Sequence, residues 1–251
     1  MARFGIEGIR YFSNARAAGV STAGDLTYTF NRCNGLDDEL RAAGHTRSFY
    51  WANTDCWETD IRDTDSGGGG DDVHWVDNVD LFWIETHGNH TADGQARMLY
   101  DTARNQWRTF SGTWQLGENW NAEWVMAYSC KTVDRTKVSG LWNMFSGMHI
   151  YCGAWDNMYD GTTTDECGED VGDNLTDGDT VSEAWIDGVS DWYVDNHPIT
   201  ACVGDAATWN GGNIRWDRSY LNRDHLWGHG NVEPDLPPAQ QACILWRWAE
   251  G

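Results

Sequence analysis

The chain has 251 residues, 40% of them apolar, with 17 Trp and a formal net charge of −22. That length and apolar content exclude a largely disordered chain, because burial of so much aromatic surface offsets the entropy of ordering it. A surface this acidic repels phosphates, which excludes nucleic acid as a partner, and no apolar run approaches the length of a membrane span, so no membrane association is expected either.

In chain order the first apolar run is Phe4 to Phe12, which carries Glu7, followed by a helix-like stretch from Gly24 to Ala43 and a second strand-length run from His45 to Ala52. Asp63 to Asp72 reads DTDSGGGGDD and is expected to be an exposed, mobile connector. Strand-length runs then recur at Leu81–Thr86, Trp124–Ser129, His149–Trp155 and Thr200–Val203. Several are continuous rather than alternating, the pattern of strands covered on both faces. Between the last two lie the acidic stretch Asp160 to Asp170 and a helix expected over Gly168–Val194, with Val181, Ala184, Trp185, Val189 and Trp192 near helical spacing. Alternation of strand and helix predicts an α/β sandwich around a mainly parallel sheet. Residues 1–230 form the expected domain, and residues 231–251, with three prolines and the terminal ACILWRW, a C-terminal extension packed on it.

The chemistry concentrates at two strand ends. One run closes as WIETHGN, delivering His87 and Gly88, and the other closes as VMAYSCKT, delivering Cys130. In a parallel sheet the carboxyl ends of the strands line one edge, where ligands bind, so these residues are expected to share a crevice. His87 would then act as general base and Cys130 as nucleophile, while Gly88, without a side chain, lets a substrate approach and leaves its N–H free for an oxyanion. Taken singly, a strand-end Cys or His is more often structural; the paired occurrence after similar strands carries the weight. The chain holds seven cysteines, an odd number with no C-x-x-C spacing, so a free thiol is expected.

These two motifs resemble the caspase, legumain, gingipain and clostripain superfamily of cysteine peptidases, with a likeness extending over residues 1–205. The resemblance implies a caspase-like three-layer α/β/α sandwich with about six strands, His87 and Cys130 as a catalytic dyad, and the backbone amides of Gly88 and Cys130 as the oxyanion hole. It implies a peptide or protein substrate, cleaved as a thiol protease would or passed to an amine in a ligase-like transfer. Lys131 departs from the glycine-rich surroundings of the family's Cys. Where caspases carry a Ser-Trp-Arg segment this chain has Trp155 and Asp156, so Asp156 is expected to receive a basic side chain with Trp155 as its wall, and Glu7 and Asp160 are the alternative acids.

Two other readings stand beside this one. The histidines of His87-x-x-His90 and of His225, His229 and Asp235 offer the donors of a zinc hydrolase, and a caspase-like groove could bind a peptide without cutting it. No cofactor is expected, calcium in the acidic loops being the exception. With no apolar leader after Met1, a soluble cytoplasmic or secreted protein is expected, its oligomeric state open.

Overall fold

In the computed structural model, which describes residues 1–65, 69–118, 121–190 and 194–250, the apolar runs become the strands of one sheet. The elements follow in the order β1 (Arg3–Gly8), α1 (Ser13–Ala17), α2 (Thr29–Ala42), β2 (Thr46–Ala52) and β3 (Leu81–Glu85). A small antiparallel ribbon comes next, formed by β4 (Gly88–His90), β5 (Ala96–Leu99) and β6 (Arg108–Phe110). The chain continues through β7 (Trp124–Tyr128), β8 (Ile150–Ala154), α3 (Cys167–Asp177), α4 (Val181–Val189), β9 (Pro198–Asp205), α5 (Ala206–Trp209) and β10 (Gln241–Trp248).

Seven strands make the central sheet, in the order β10-β9-β8-β7-β3-β1-β2. The five from β8 to β2 are mutually parallel, and β9 and β10 run antiparallel to their neighbours. This is the mixed α/β class with a mainly parallel sheet that the sequence predicts. The seventh strand comes from the C-terminal segment, whose ACILWRW pairs with β9 as an edge.

Continuous burial along β3, β7 and β8 follows from cover on both faces. On one face α2, α3 and α4 pack side by side, and Trp83 of β3 meets Trp185 of α4 with ring centroids 5.7 Å apart. On the other, short 3-10 turns and loops supply aromatic cover, with Trp75 against Phe49 and Trp114 against Tyr151. Trp83, Trp114, Trp124 and Trp185 are all fully buried, and truncating any one of them to alanine is expected to cost about 3–5 kcal/mol.

Three local expectations change. The helix expected over Gly168–Val194 is two helices: Gly178 adopts φ +97° as a left-handed C-cap, and Thr180 starts α4 by accepting from the Glu183 amide. Trp192 lies outside the described residues. Helix α2 starts at Thr29 rather than Gly24, and the two residues before it are held by a distant carboxylate, that of Asp160, which accepts from the amides of Thr27 and Tyr28. The connector expected to be exposed has both ends buried, Asp63 at 1% and Asp72 at 0% exposure, because backbone bonds to Thr113 and Arg62 anchor them; its residues 66–68 lie outside the described residues. Among the described residues no helix is long and apolar enough to cross a membrane.

Candidate active site

Strands β3 and β7 are neighbours in register from Leu81 opposite Trp124 to Glu85 opposite Tyr128. Whatever follows them therefore emerges side by side at the carboxyl edge of the sheet. The two chain ends are fastened together there, since the Ser129 hydroxyl donates to the Thr86 carbonyl at 2.6 Å and the Thr86 hydroxyl donates to the Leu99 carbonyl. One residue further on, His87 and Cys130 line a single small cavity of about 70 Å³ together with Leu26, Tyr128 and Met158. Gly88 has to be glycine for the two loops to lie this close: a Cβ there would sit 2.6 Å from the Cys130 carbonyl oxygen and 2.8 Å from the Ser129 Cβ.

The imidazole of His87 is held in one tautomer. Its Nε2 lies 2.8 Å from the carbonyl oxygen of Gly24, which can only accept, so Nε2 carries the proton and the neutral ring keeps its lone pair on Nδ1. Phe12 packs against the ring with centroids 4.7 Å apart. The Cys130 sulfur accepts from the Met158 amide at 3.3 Å, and its S–H points to the Met158 carbonyl at 3.4 Å. Burial pushes the thiol's pKa up, an effect opposed by the Met158 amide and by the charge of Lys131. The group thus rests as a thiol and needs a base to become a nucleophile. All seven cysteines are free, and Cys130 is the only one of them that is not buried.

Beneath the cavity a buried ionic cluster joins the elements that carry the site. The guanidinium of Arg32, on α2, donates to Glu85 at the end of β3, through Nε at 3.0 Å and also through NH2. It further donates to Asp160 at 2.8 Å and to the Thr164 carbonyl at 3.2 Å, and lies 4.4 Å from the ring centre of Tyr128 on β7. Both Arg32 and Glu85 are completely buried. Burial pushes the Glu85 carboxyl up and Arg32 pulls it back.

Of the residues expected to bind a substrate side chain, Asp156, Trp155 and Glu7 do not line this cavity, and Asp160 does. Asp156 is paired with Lys131 at 3.1 Å, so its charge is compensated by the residue next to Cys130. The Trp155 indole packs at a tilt against His197, lies under the Arg135 guanidinium, meets Trp248 edge-on and donates to the Ala249 carbonyl, which makes it an anchor for β10 rather than the wall of a pocket. Glu7 is fully buried, its pKa raised by that burial and by the nearby Asp60, and it takes no part in the cavity with Cys130. Asp160 does line that cavity, but it is engaged by Arg32 and the start of α2.

The donors expected for zinc do not converge. His90 bonds through Nδ1 with the Lys131 carbonyl at 3.0 Å, His225 with the carbonyls of Arg223 and Asn231, and His229 contacts His45, while Asp235 lies beside His149. Among the described residues the group of three whose donor atoms all come within 4.8 Å of one another is Asp63, Asp72 and Glu118. Burial and the neighbouring carboxylates of Asp77, Asp72 and Asp63 push Glu118 up to about 8. Asp63 and Asp72 close the first acidic loop, so this is where a hard cation such as calcium would find oxygen ligands. In the second acidic loop Asp160 is engaged by Arg32 and by the amides of Thr27 and Tyr28. The Gly24 carbonyl and Arg32 were missed by sequence reasoning: a backbone oxygen carries no residue signal, and one arginine in a helix reads as surface.

No curated protein sequence matches the chain. Among solved structures it is similar to the Drosophila initiator caspase Dronc, at 10% sequence identity and a TM-score of 0.32, over 61% of this chain and 54% of that one. The match thus spans about half the length of the caspase chain. Residues 6–250 match the model of DUF6345, a domain of unknown function, and the protein belongs to that family.

Proposed function

We propose that the chain is a cysteine-dependent hydrolase of peptide amides, or an acyl-transferring relative, working through His87 and Cys130. One observation carries this reading: the two residues share one cavity at the carboxyl edge of adjacent parallel strands, with the His87 Nε2 proton committed to Gly24 and its Nδ1 lone pair left available. As the Cys130 sulfur attacks the carbonyl carbon, its proton passes to Nδ1 of His87, and the oxyanion is assigned to the backbone amides of Gly88 and Cys130. The C–N bond then breaks as His87 returns the proton to the departing amine, leaving an acyl group on sulfur. In hydrolysis a water gives its proton to Nδ1 and its oxygen to the acyl carbon, and the thiolate leaves and recovers the proton.

Intact-mass measurement after treatment with peptidyl electrophiles tests the proposal. One adduct, mapped to Cys130 and absent in Cys130→Ala, is the expected result, with labelling much slowed in His87→Ala. If the adduct forms elsewhere, or equally fast in His87→Ala, there is no dyad. A groove that binds peptides without cutting them would instead show binding to parent and Cys130→Ala alike, with no adduct at any concentration.

A further inference from the structure

A second cleft of about 260 Å³, which His87 lines and Cys130 does not, is formed beside the ribbon β4-β5-β6. Its origin is the period-2 geometry of the ribbon. Asn89 stands opposite Arg97, Arg97 opposite Phe110, and Leu99 opposite Arg108, so Asn89, Arg97, Leu99 and Arg108 share one face. The alternate residues Ala96, Met98 and Thr109 are buried on the other. Arg97 and Arg108 are diagonal neighbours across two antiparallel strands, close enough for their long side chains to meet over the cleft. His87, Gly88, Met98 and the loop residues Ser21, Thr22 and Ala23 complete its lining.

The charge of this cleft runs against the rest of the molecule. In a chain of net charge −22, neither arginine has a carboxylate within ion-pair distance among the described residues: Arg108 donates to the Val20 carbonyl, and Arg97 has no side-chain partner. Burial and the like charge of Arg108 lower the pKa of Arg97, the effect expected of two cations held together without a counter-charge. Most of the paired arginines elsewhere are matched to an acid, as Arg16 is to Asp25, Arg47 to Asp37 and Arg215 to Asp217. A pair of guanidiniums left without a carboxylate beside a strand-end histidine suits the planar, bidentate recognition of a carboxylate.

We infer that Arg97 and Arg108 form an anion-binding subsite for the leaving side of the substrate, selecting peptides with a carboxylate just beyond the bond that is cut. The inference rests on the proposed dyad for its place in the reaction. His87 borders both cavities; the acyl part is bonded to the sulfur on the Cys130 side, and the departing amine receives its proton from His87, so the departing segment runs into the cleft of Arg97 and Arg108. The anion is an acidic side chain or a free terminal carboxylate.

The test measures binding and labelling separately. Short peptides corresponding to the departing segment are titrated calorimetrically against the Cys130→Ala variant of this chain: one with an aspartate and an amidated end, one with asparagine and a free carboxylate, and one with asparagine and an amidated end. At least one anionic peptide is expected to bind roughly tenfold to a hundredfold more tightly than the neutral one, the range for charge-assisted hydrogen bonds, and which of the two does so identifies the source of the carboxylate. Arg97→Gln, at a side chain with no hydrogen-bond or ion-pair partner among the described residues, is expected to abolish most of that preference. Arg41→Gln, an equal charge change on the exposed side of α2, is expected to preserve it. Equal binding of all three peptides, or a preference untouched by Arg97→Gln, overturns the subsite. Electrophile labelling of Cys130 is read on the parent, so a failed dyad is recognised independently: labelling without anion preference condemns the subsite, and anion preference without labelling condemns the dyad while leaving an anion site at Arg97.

Discussion

Replacing Arg32 by methionine removes a cation that is completely buried and leaves Glu85, also completely buried, without its partner. The Asp160 carboxylate is less exposed to this loss, since it keeps the amide of Tyr28 and is partly solvated. Breaking a buried pair by removing one side is expected to cost about 3–5 kcal/mol, most of it the penalty of an uncompensated carboxylate, which will take up a proton instead. In a chain of this size that corresponds to a fall in Tm of roughly 6–20 °C. The assay is urea unfolding with far-UV circular dichroism and intrinsic tryptophan fluorescence followed together, comparing parent, Arg32→Met, Glu85→Leu and the double variant. Since an apolar pair of similar volume often replaces a buried ion pair without loss, the double variant is expected to recover most of the stability, a coupling of about 2–3 kcal/mol. The reasoning fails if Arg32→Met costs under about 1 kcal/mol, or if the double variant is no more stable than Arg32→Met alone.

Peptide cleavage is expected to fall to background in both Cys130→Ala and His87→Ala, and the double variant should be no worse than either, because the two groups act as one unit; a progress curve with a fluorogenic peptide measures it. Gly88→Ala places a methyl group within 2.6 Å of the Cys130 carbonyl, so activity should drop by at least roughly tenfold while unfolding shifts by only about 1–3 kcal/mol, the usual cost of overpacking. The third concerns pH. Burial alone would lower the pKa of His149, but hydrogen bonds to Asp224 and Asp235 raise it to about 9. Its stabilisation of about 3 kcal/mol is therefore complete below pH ~6.5 and lost as the pH rises through about 9. Glu123, raised to about 9 by burial and Asp80, adds a loss that begins near the ordinary carboxyl pKa of ~4.5 and is complete above about 9. Denaturation midpoints from pH 6 to 10 should fall in the parent and fall less in His149→Gln and Glu123→Gln; a flat parent profile would contradict both assignments.

Much of this protein was legible from local pattern. Continuous apolar runs such as LFWIE and WVMAY announce strands buried on both faces, because side-chain period and burial are properties of a few adjacent residues. The same locality made the two strand ends readable: once β3 and β7 are parallel neighbours, His87 and Cys130 must reach the same edge. Other features depended on which distant segments meet. Gly24 reaches His87 across 63 positions, Arg32 reaches Glu85 across 53 and Asp160 across 128, and no window of sequence contains such pairs. Asp156 illustrates the difference most plainly. By composition it is an acid directly after a Trp at a strand end and suits a basic ligand, yet the left-handed turn at Lys131, with φ +53°, brings that lysine to its carboxylate. The two cations of the ribbon, spread over β5 and β6, meet only when the strands pair. Local sequence thus determined which residues end the strands and carry the chemistry. The tertiary structure decided which charges remain uncompensated, because Coulomb interactions depend on distance in space rather than along the chain.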